Sequence, residues 1–168
     1  MVPAVHADDG SDQLILNNIH HVNQKEIKVS KLALSKTKSP QVKQFAQMLK
    51  DDHSKNDEQL QALAKSDRIK LKDFSPTPED KAKMDKMKKM SGTEFDKAFL
   101  AAMKKGHEKA LNMLESSKAE TQNPEIAAFI DKTIPTVRHH EETVVSMIQA
   151  SNRQAAGKAN AGKSQGNR

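Results

Sequence analysis

Cysteine, tryptophan and tyrosine are all absent from this chain of 168 residues, and phenylalanine occurs only five times. The absence of cysteine leaves the redox compartment open, since it neither requires nor excludes an oxidising one. With no Trp or Tyr there is no obvious redox-active aromatic and no stacking platform for single-stranded nucleic acid. Long apolar runs are missing too, so no segment suits a membrane span. The chain also has no P-loop, no Gly-rich nucleotide motif and no Ser–His–Asp arrangement. What remains for a core is Leu, Ile, Val, Met and Ala, in a chain 35% hydrophobic and 30% charged. That palette favours packed amphipathic helices over a sandwich or barrel.

The formal net charge is +6, and much of it is local. The stretch SNRQAAGKANAGKSQGNR, Ser151 to Arg168, holds Arg153, Lys158, Lys163 and Arg168 with no acid. Rich in Gly, Ala, Ser, Asn and Gln, it cannot bury apolar surface and reads as a disordered basic tail over 151–168. A weak contact with acidic surfaces through this tail is one open reading, with no nucleic acid expected. At the other end, MVPAVHADDG places Val5 and Ala7 where a secretory cleavage site has its −3 and −1 residues. Residues 1–10 therefore read as the end of a signal peptide with a lead-in, which implies the periplasm or cell envelope of a bacterium.

Between these ends, residues 11–150 read as one helical domain. The first helix is expected from about Asp12 to Lys38. Ser39-Pro40 gives an N-cap followed by proline at the first helical position, opening a second helix to about Ser66. Asp67 to Pro78 is a linker, and Thr77-Pro78-Glu79-Asp80 begins a short Lys/Met helix ended by Ser91-Gly92. Thr93 caps a third long helix to about Thr121, and Asn123-Pro124-Glu125 opens a fourth to about Ala150. Tight joints at Pro40 and Pro124 make two helical hairpins, hence an all-α, up-down-up-down four-helix bundle with a short extra helix in its middle connection.

Each long helix carries an apolar stripe at three- and four-residue spacing. The first reads Ile15, Ile19, Val22, Glu26, Val29, Ala33, and the second Val42, Ala46, Leu49, His53, Asn56, Leu60, Leu63. The third reads Phe99, Met103, His107, Ala110, Leu114. The fourth reads Ile126, Ile130, Thr133, Val137, His140, Val144, Ile148. One Glu or His thus interrupts the core row of every helix. Glu26 and His53 lie roughly 20 Å from the first joint, His107 and His140 roughly 25 Å from the second. With both joints at one end, the pairs differ by about one turn, which a stagger between hairpins could remove.

Burying such groups costs free energy unless they are paired or coordinate a metal. Three imidazoles and a carboxylate suit one divalent ion, Zn, Fe, Ni or Cu. Asp52 and Glu108, beside His53 and His107, are candidates to support them as hydrogen-bond acceptors. A buried Glu–His hydrogen-bond network, or no convergence at all, are the competing outcomes. No Glu has a His three residues later, so a carboxylate-bridged di-iron centre is not indicated. In TIPTVRHHEE, Thr133 to Glu142, His139 is expected to face solvent and His140 the core, with a kink at Pro135. The spacing Met84-x-x-Met87-x-x-Met90, with Met103 and Met113, resembles that of copper(I) carriers, but the interleaved lysines favour an apolar face packing on the bundle. The lysines around it, and His20 and His21, read as surface residues.

Three stretches resemble an exported bacterial family catalogued as domain of unknown function four-one-four-two. They are NQKEIKVSKLALSKTKSPQVKQFAQMLKDDHSKN (Asn23 to Asn56), EFDKAFLAAMKKGHEKAL (Glu94 to Leu111) and IPTVRHHEE (Ile134 to Glu142). The family's Glu, Asp-His, His and Leu-Pro-x-Leu-x-x-His elements fall on Glu26, Asp52-His53, His107 and His140. Ile134 and Val137 stand where leucines are usual and keep the apolar face. The resemblance implies a ferritin-like fold and export, and supplies no activity. A metal-binding protein, a non-enzymatic envelope-stress or interaction module, and a basic adhesin all remain open, with no catalytic constellation recognised.

Overall fold

In the computed structural model, which describes residues 9–164, every element is helical. They are α1 (Asp9–Lys36), α2 (Pro40–Ser66), α3 (Pro78–Lys89), α4 (Gly92–Glu120) and α5 (Pro124–Ser164). Local chemistry fixes the starts. Ser39 accepts from the Val42 amide and Thr77 from the Asp80 amide, each with proline next in the helix. Asn123 Oδ1 accepts from the amides of Glu125 and Ile126. Gly92, at φ +54°, takes the backbone turn into α4 that L side chains resist, so this helix begins one residue before Thr93.

The stripes form the core. Every apolar stripe residue is buried except Val22, Leu63 and Ile148, which are partly so. The buried apolar side chains divide into two clusters. One gathers Ile15, Ile19, Leu60, Leu114 and Ile130, the other Val29, Leu49, Phe99, Met103 and Val144. Glu26, His53, His107 and His140 fall between them on their four helices, as a polar layer near mid-length.

Helix directions depart from the expected order. Asn123, at the α4–α5 joint, donates to Asp67 at the end of α2, and Thr121 donates to Asp12 at the start of α1. The α4–α5 joint therefore lies at the opposite end from the α1–α2 joint, and the order is up-down-down-up. Neighbouring long helices (α1 with α2, α2 with α5, α5 with α4, α4 with α1) are all antiparallel. The middle connection climbs the whole bundle beside α1. Lys70 meets Gln13, Lys72 meets Asn17, Phe74 packs on His21, Asp80 pairs with Lys25, and Lys88 meets Lys36. A chain of this length is needed to return α4 to the far end, the single long crossover of ferritin-like bundles. Stagger is not what aligns the four interrupting residues; they meet because each lies near the middle of its helix.

Two surface expectations also change. The climbing connection covers His20 and His21. His20 is buried, its Nδ1–H donating to Asp57 Oδ1 at 2.7 Å, and His21 stacks edge-on against Phe74. α5 continues past the expected end near Ala150, its residues 152–157 exposed. Alanine, glutamine and lysine sustain a helix there without an apolar stripe. The expected signal-peptide end lies almost wholly outside the described residues, as do the last four residues of the tail. No helix among the described residues is long and apolar enough to cross a membrane.

Candidate metal centre

His53 on α2, His107 on α4 and His140 on α5 each bring one nitrogen within 4.8 Å of the other two. Their ring centroids stand 5.3 to 5.7 Å apart. His107 and His140 are 1% and 0% exposed, so water does not solvate the cluster. His139, the twin of His140, is exposed. α5 runs unbroken through Pro135.

The outer nitrogen of every ring is committed. His107 Nδ1–H donates to the Met103 carbonyl at 2.8 Å, one turn back on its own helix. His140 Nε2–H donates to Asp52 Oδ2 at 2.9 Å. His53 Nδ1 meets Asn23 Oδ1 at 2.9 Å, at the head of a relay whose direction can be derived from its far end. The Phe129 carbonyl can only accept, so the Thr133 hydroxyl donates to it. Thr133 Oγ1 then accepts from Asn56 Nδ2, whose Oδ1 accepts from Asn23 Nδ2. Asn23 is left presenting its carbonyl oxygen, and His53 must hold its proton on Nδ1.

Three lone pairs therefore face inward, on His53 Nε2, His107 Nε2 and His140 Nδ1. All three atoms are buried and take no hydrogen bond among the described residues. Glu26 Oε2, from α1, shares that condition. Its carboxylate stands outside the group of three close nitrogens, against Gly106 of α4, where an added Cβ would come within 3.1 Å of Oε1. Burial raises the Glu26 carboxyl above its ordinary range, with His107 and Lys25 pulling partly back. Burial also holds the His53 imidazole well below its usual value, reinforced by His107 and His140. His140 is lowered by burial against the pull of the Asp52 hydrogen bond, and His107 lowers it further. Neutral imidazoles are the ligand form. Tetrahedral bonds of about 2.0–2.1 Å would set ligand nitrogens about 3.4 Å apart, so the rings need only a modest contraction.

Asp52 thus reaches the cluster through His140, not through its neighbour His53. Glu108 pairs with Lys104 on the half-exposed flank and leaves His107 to the Met103 carbonyl. Asn23, which orients His53, escaped the sequence reading. It sits one turn from Glu26, as Asn56 of the second core row sits one turn from His53, but its partners lie on α2 and nothing within α1 marks it as buried.

Residues 2–147 match the family model described as Domain of unknown function (DUF4142). The chain belongs to that family. Solved structures share its fold. CopM in the Cu(I)-bound form is 19% identical, covers 83% of this chain and 96% of its own, and superposes with a TM-score of 0.70. CopM in an Ag-bound form, also 19% identical over 83% of this chain and 96% of its own, gives 0.69. A DUF305 fragment from Deinococcus radiodurans is 13% identical, covers 84% of this chain and 97% of its own, and gives 0.76. At these identities the likeness establishes the helical fold. Comparison with curated proteins returns no match.

Proposed function

We propose that this DUF4142 protein binds one metal ion through His53, His107 and His140, with Glu26 as the fourth ligand and Asp52 and Asn23 holding the rings. The reading is carried by the three inward lone pairs. In a self-contained hydrogen-bond network the buried groups would donate to one another. Here the protons sit on the outer nitrogens, so three acceptors confront each other, and the Glu26 carboxyl could satisfy only one of them. A cation satisfies all of them at once.

Imidazole and carboxylate suit Zn, Fe, Ni or Cu. Copper is the first to test, because a protein of the same fold is known in Cu(I)-, Cu(II)- and Ag-bound forms. Four protein ligands leave no open position for substrate, so the site fits holding or carrying an ion better than hydrolysis. The Val5/Ala7 pattern supports action in the periplasm or cell envelope of a bacterium. Metal analysis of the purified protein should find one equivalent. Titration with Cu, Zn, Fe and Ni should raise the melting temperature, and His53→Ala or His140→Ala should weaken binding at least a hundredfold. A metal-free protein whose melting temperature ignores all four metals would refute the assignment.

A further inference from the structure

A cleft of about 890 Å³ lies on the far side of Glu26, where α3 crosses the groove between α1 and α4. On α4, Ala101, Ala102 and Gly106 present side chains too small to fill the space under the crossing helix. Its inner wall is apolar, with Val22 and Val29 on one side and the thioethers of Met84, Met103 and Met113 opposite. Unbranched methionine side chains adapt to irregular guests. The volume falls in the range of about 300–1,000 Å³ usual for small-molecule sites.

Charge at the cleft is one-sided. Seven lysines line it against three acids. Two of those acids are already paired, Asp80 with Lys25 and Asp85 with Lys88. Among the described residues Lys81, Lys105 and Lys109 take no ion-pair partner. Lys105 and Lys109 are exposed and stand one turn apart on the same face of α4. A lysine rim repels cations, so the methionines here make a poor route for a metal ion. It attracts a negative head group whose apolar tail can enter the wall behind it.

We propose that this cleft binds a single-chain anionic amphiphile, an alkyl carboxylate, with its chain against the methionine wall and its head at Lys105 and Lys109. The cleft shares Glu26 with the proposed metal centre but needs no bound metal and takes its head group at Lys105 and Lys109, so either assignment can fail alone.

The test uses the full chain, stripped of metal, with monomeric dodecanoate and its longer homologues in isothermal titration. One-to-one binding should tighten about fourfold per added methylene. Dodecyltrimethylammonium and dodecyl maltoside should bind at least tenfold more weakly. Lys105→Glu with Lys109→Glu should cost at least tenfold, and Ala102→Trp, which fills the cleft from an exposed position, should abolish binding with the melting temperature preserved. His53→Ala should leave dodecanoate affinity unchanged. Equal affinity for the cationic homologue, indifference to these lysine and alanine variants, or no binding at all would overturn the proposal. So would co-sedimentation with phosphatidylglycerol vesicles that Ala102→Trp does not affect, which would mark surface adsorption. Self-association abolished by Ala102→Trp, without dodecanoate binding, would assign the face to a second copy.

Discussion

Asn23 makes no claim on a metal, yet it decides which nitrogen of His53 carries the proton. Its side-chain oxygen is fixed by a chain of donors ending at a helix carbonyl, and the ring must answer with Nδ1–H. Replacing it with leucine keeps the volume and removes the acceptor. Asn23→Leu should weaken metal binding about 10–100-fold, as loss of an orienting partner commonly does. It should also cost about 1–3 kcal/mol of stability for the buried groups left unpaired. Metal titration and urea denaturation measure the two separately, and unchanged values in both would show that the relay does not orient the ring. At this scale the sequence was informative about the four interrupting residues, because an ionisable group in an apolar row stands out against its neighbours at three and four positions. It was silent on Asn23 and on the His20–Asp57 pair. Their partners lie on another helix, and nothing within one helix tells a buried amide from a surface one.

Gly106 is where two elements determine the site together. It lets α4 approach α1 closely enough for Glu26 Oε1 to lie against its backbone. An added methyl group at 3.1 Å would push the carboxylate aside by a few tenths of an ångström. Alanine is also the better helix former, by about 0.8–1.0 kcal/mol. Gly106→Ala should therefore leave thermal stability within about 1 kcal/mol of wild type while lowering metal affinity measurably. Differential scanning calorimetry and metal titration would check this, and unaltered affinity would remove Glu26 from the ligand set. Helix number, stripes and the caps at Ser39, Thr77 and Asn123 are legible in the sequence because each is local: a Ser, Thr or Asn before a proline, then an apolar period; the cap expected at Thr93 gives way to a start at Gly92. Helix direction was not. Two short joints say only that two pairs are antiparallel, and the far longer connection from Asp67 to Met90 permits either end. Side chains such as Asn123 on Asp67 decide it, across 56 residues of sequence.

The bundle buries Glu26, His53, His107 and His140 between two apolar clusters, and that arrangement couples folding to pH. His53 and His140 have folded pKa values below the unfolded value of about 6.5. As pH falls past about 6.5 the unfolded chain takes up these protons first, so the metal-free protein loses stability on acidification. Glu26 acts oppositely. Its folded pKa lies above 4.5, so a rise in pH from there ionises the unfolded state first and lowers stability up to the folded value. Two histidines against one carboxyl leave a net loss toward acid, at most about 1.4 kcal/mol per pH unit for each unbalanced proton. Glu26→Gln removes the opposing contribution, so its stability should fall more steeply toward acid than that of wild type over the range above 4.5 in which Glu26 titrates. Metal binding should weaken over the same range, because protons compete for the same lone pairs. Urea denaturation of both metal-free proteins at pH 5, 6 and 7.5 measures the slopes. Equal slopes would mean that Glu26 is not buried in this layer as the bundle places it, and a flat wild-type curve would say the same of the histidines.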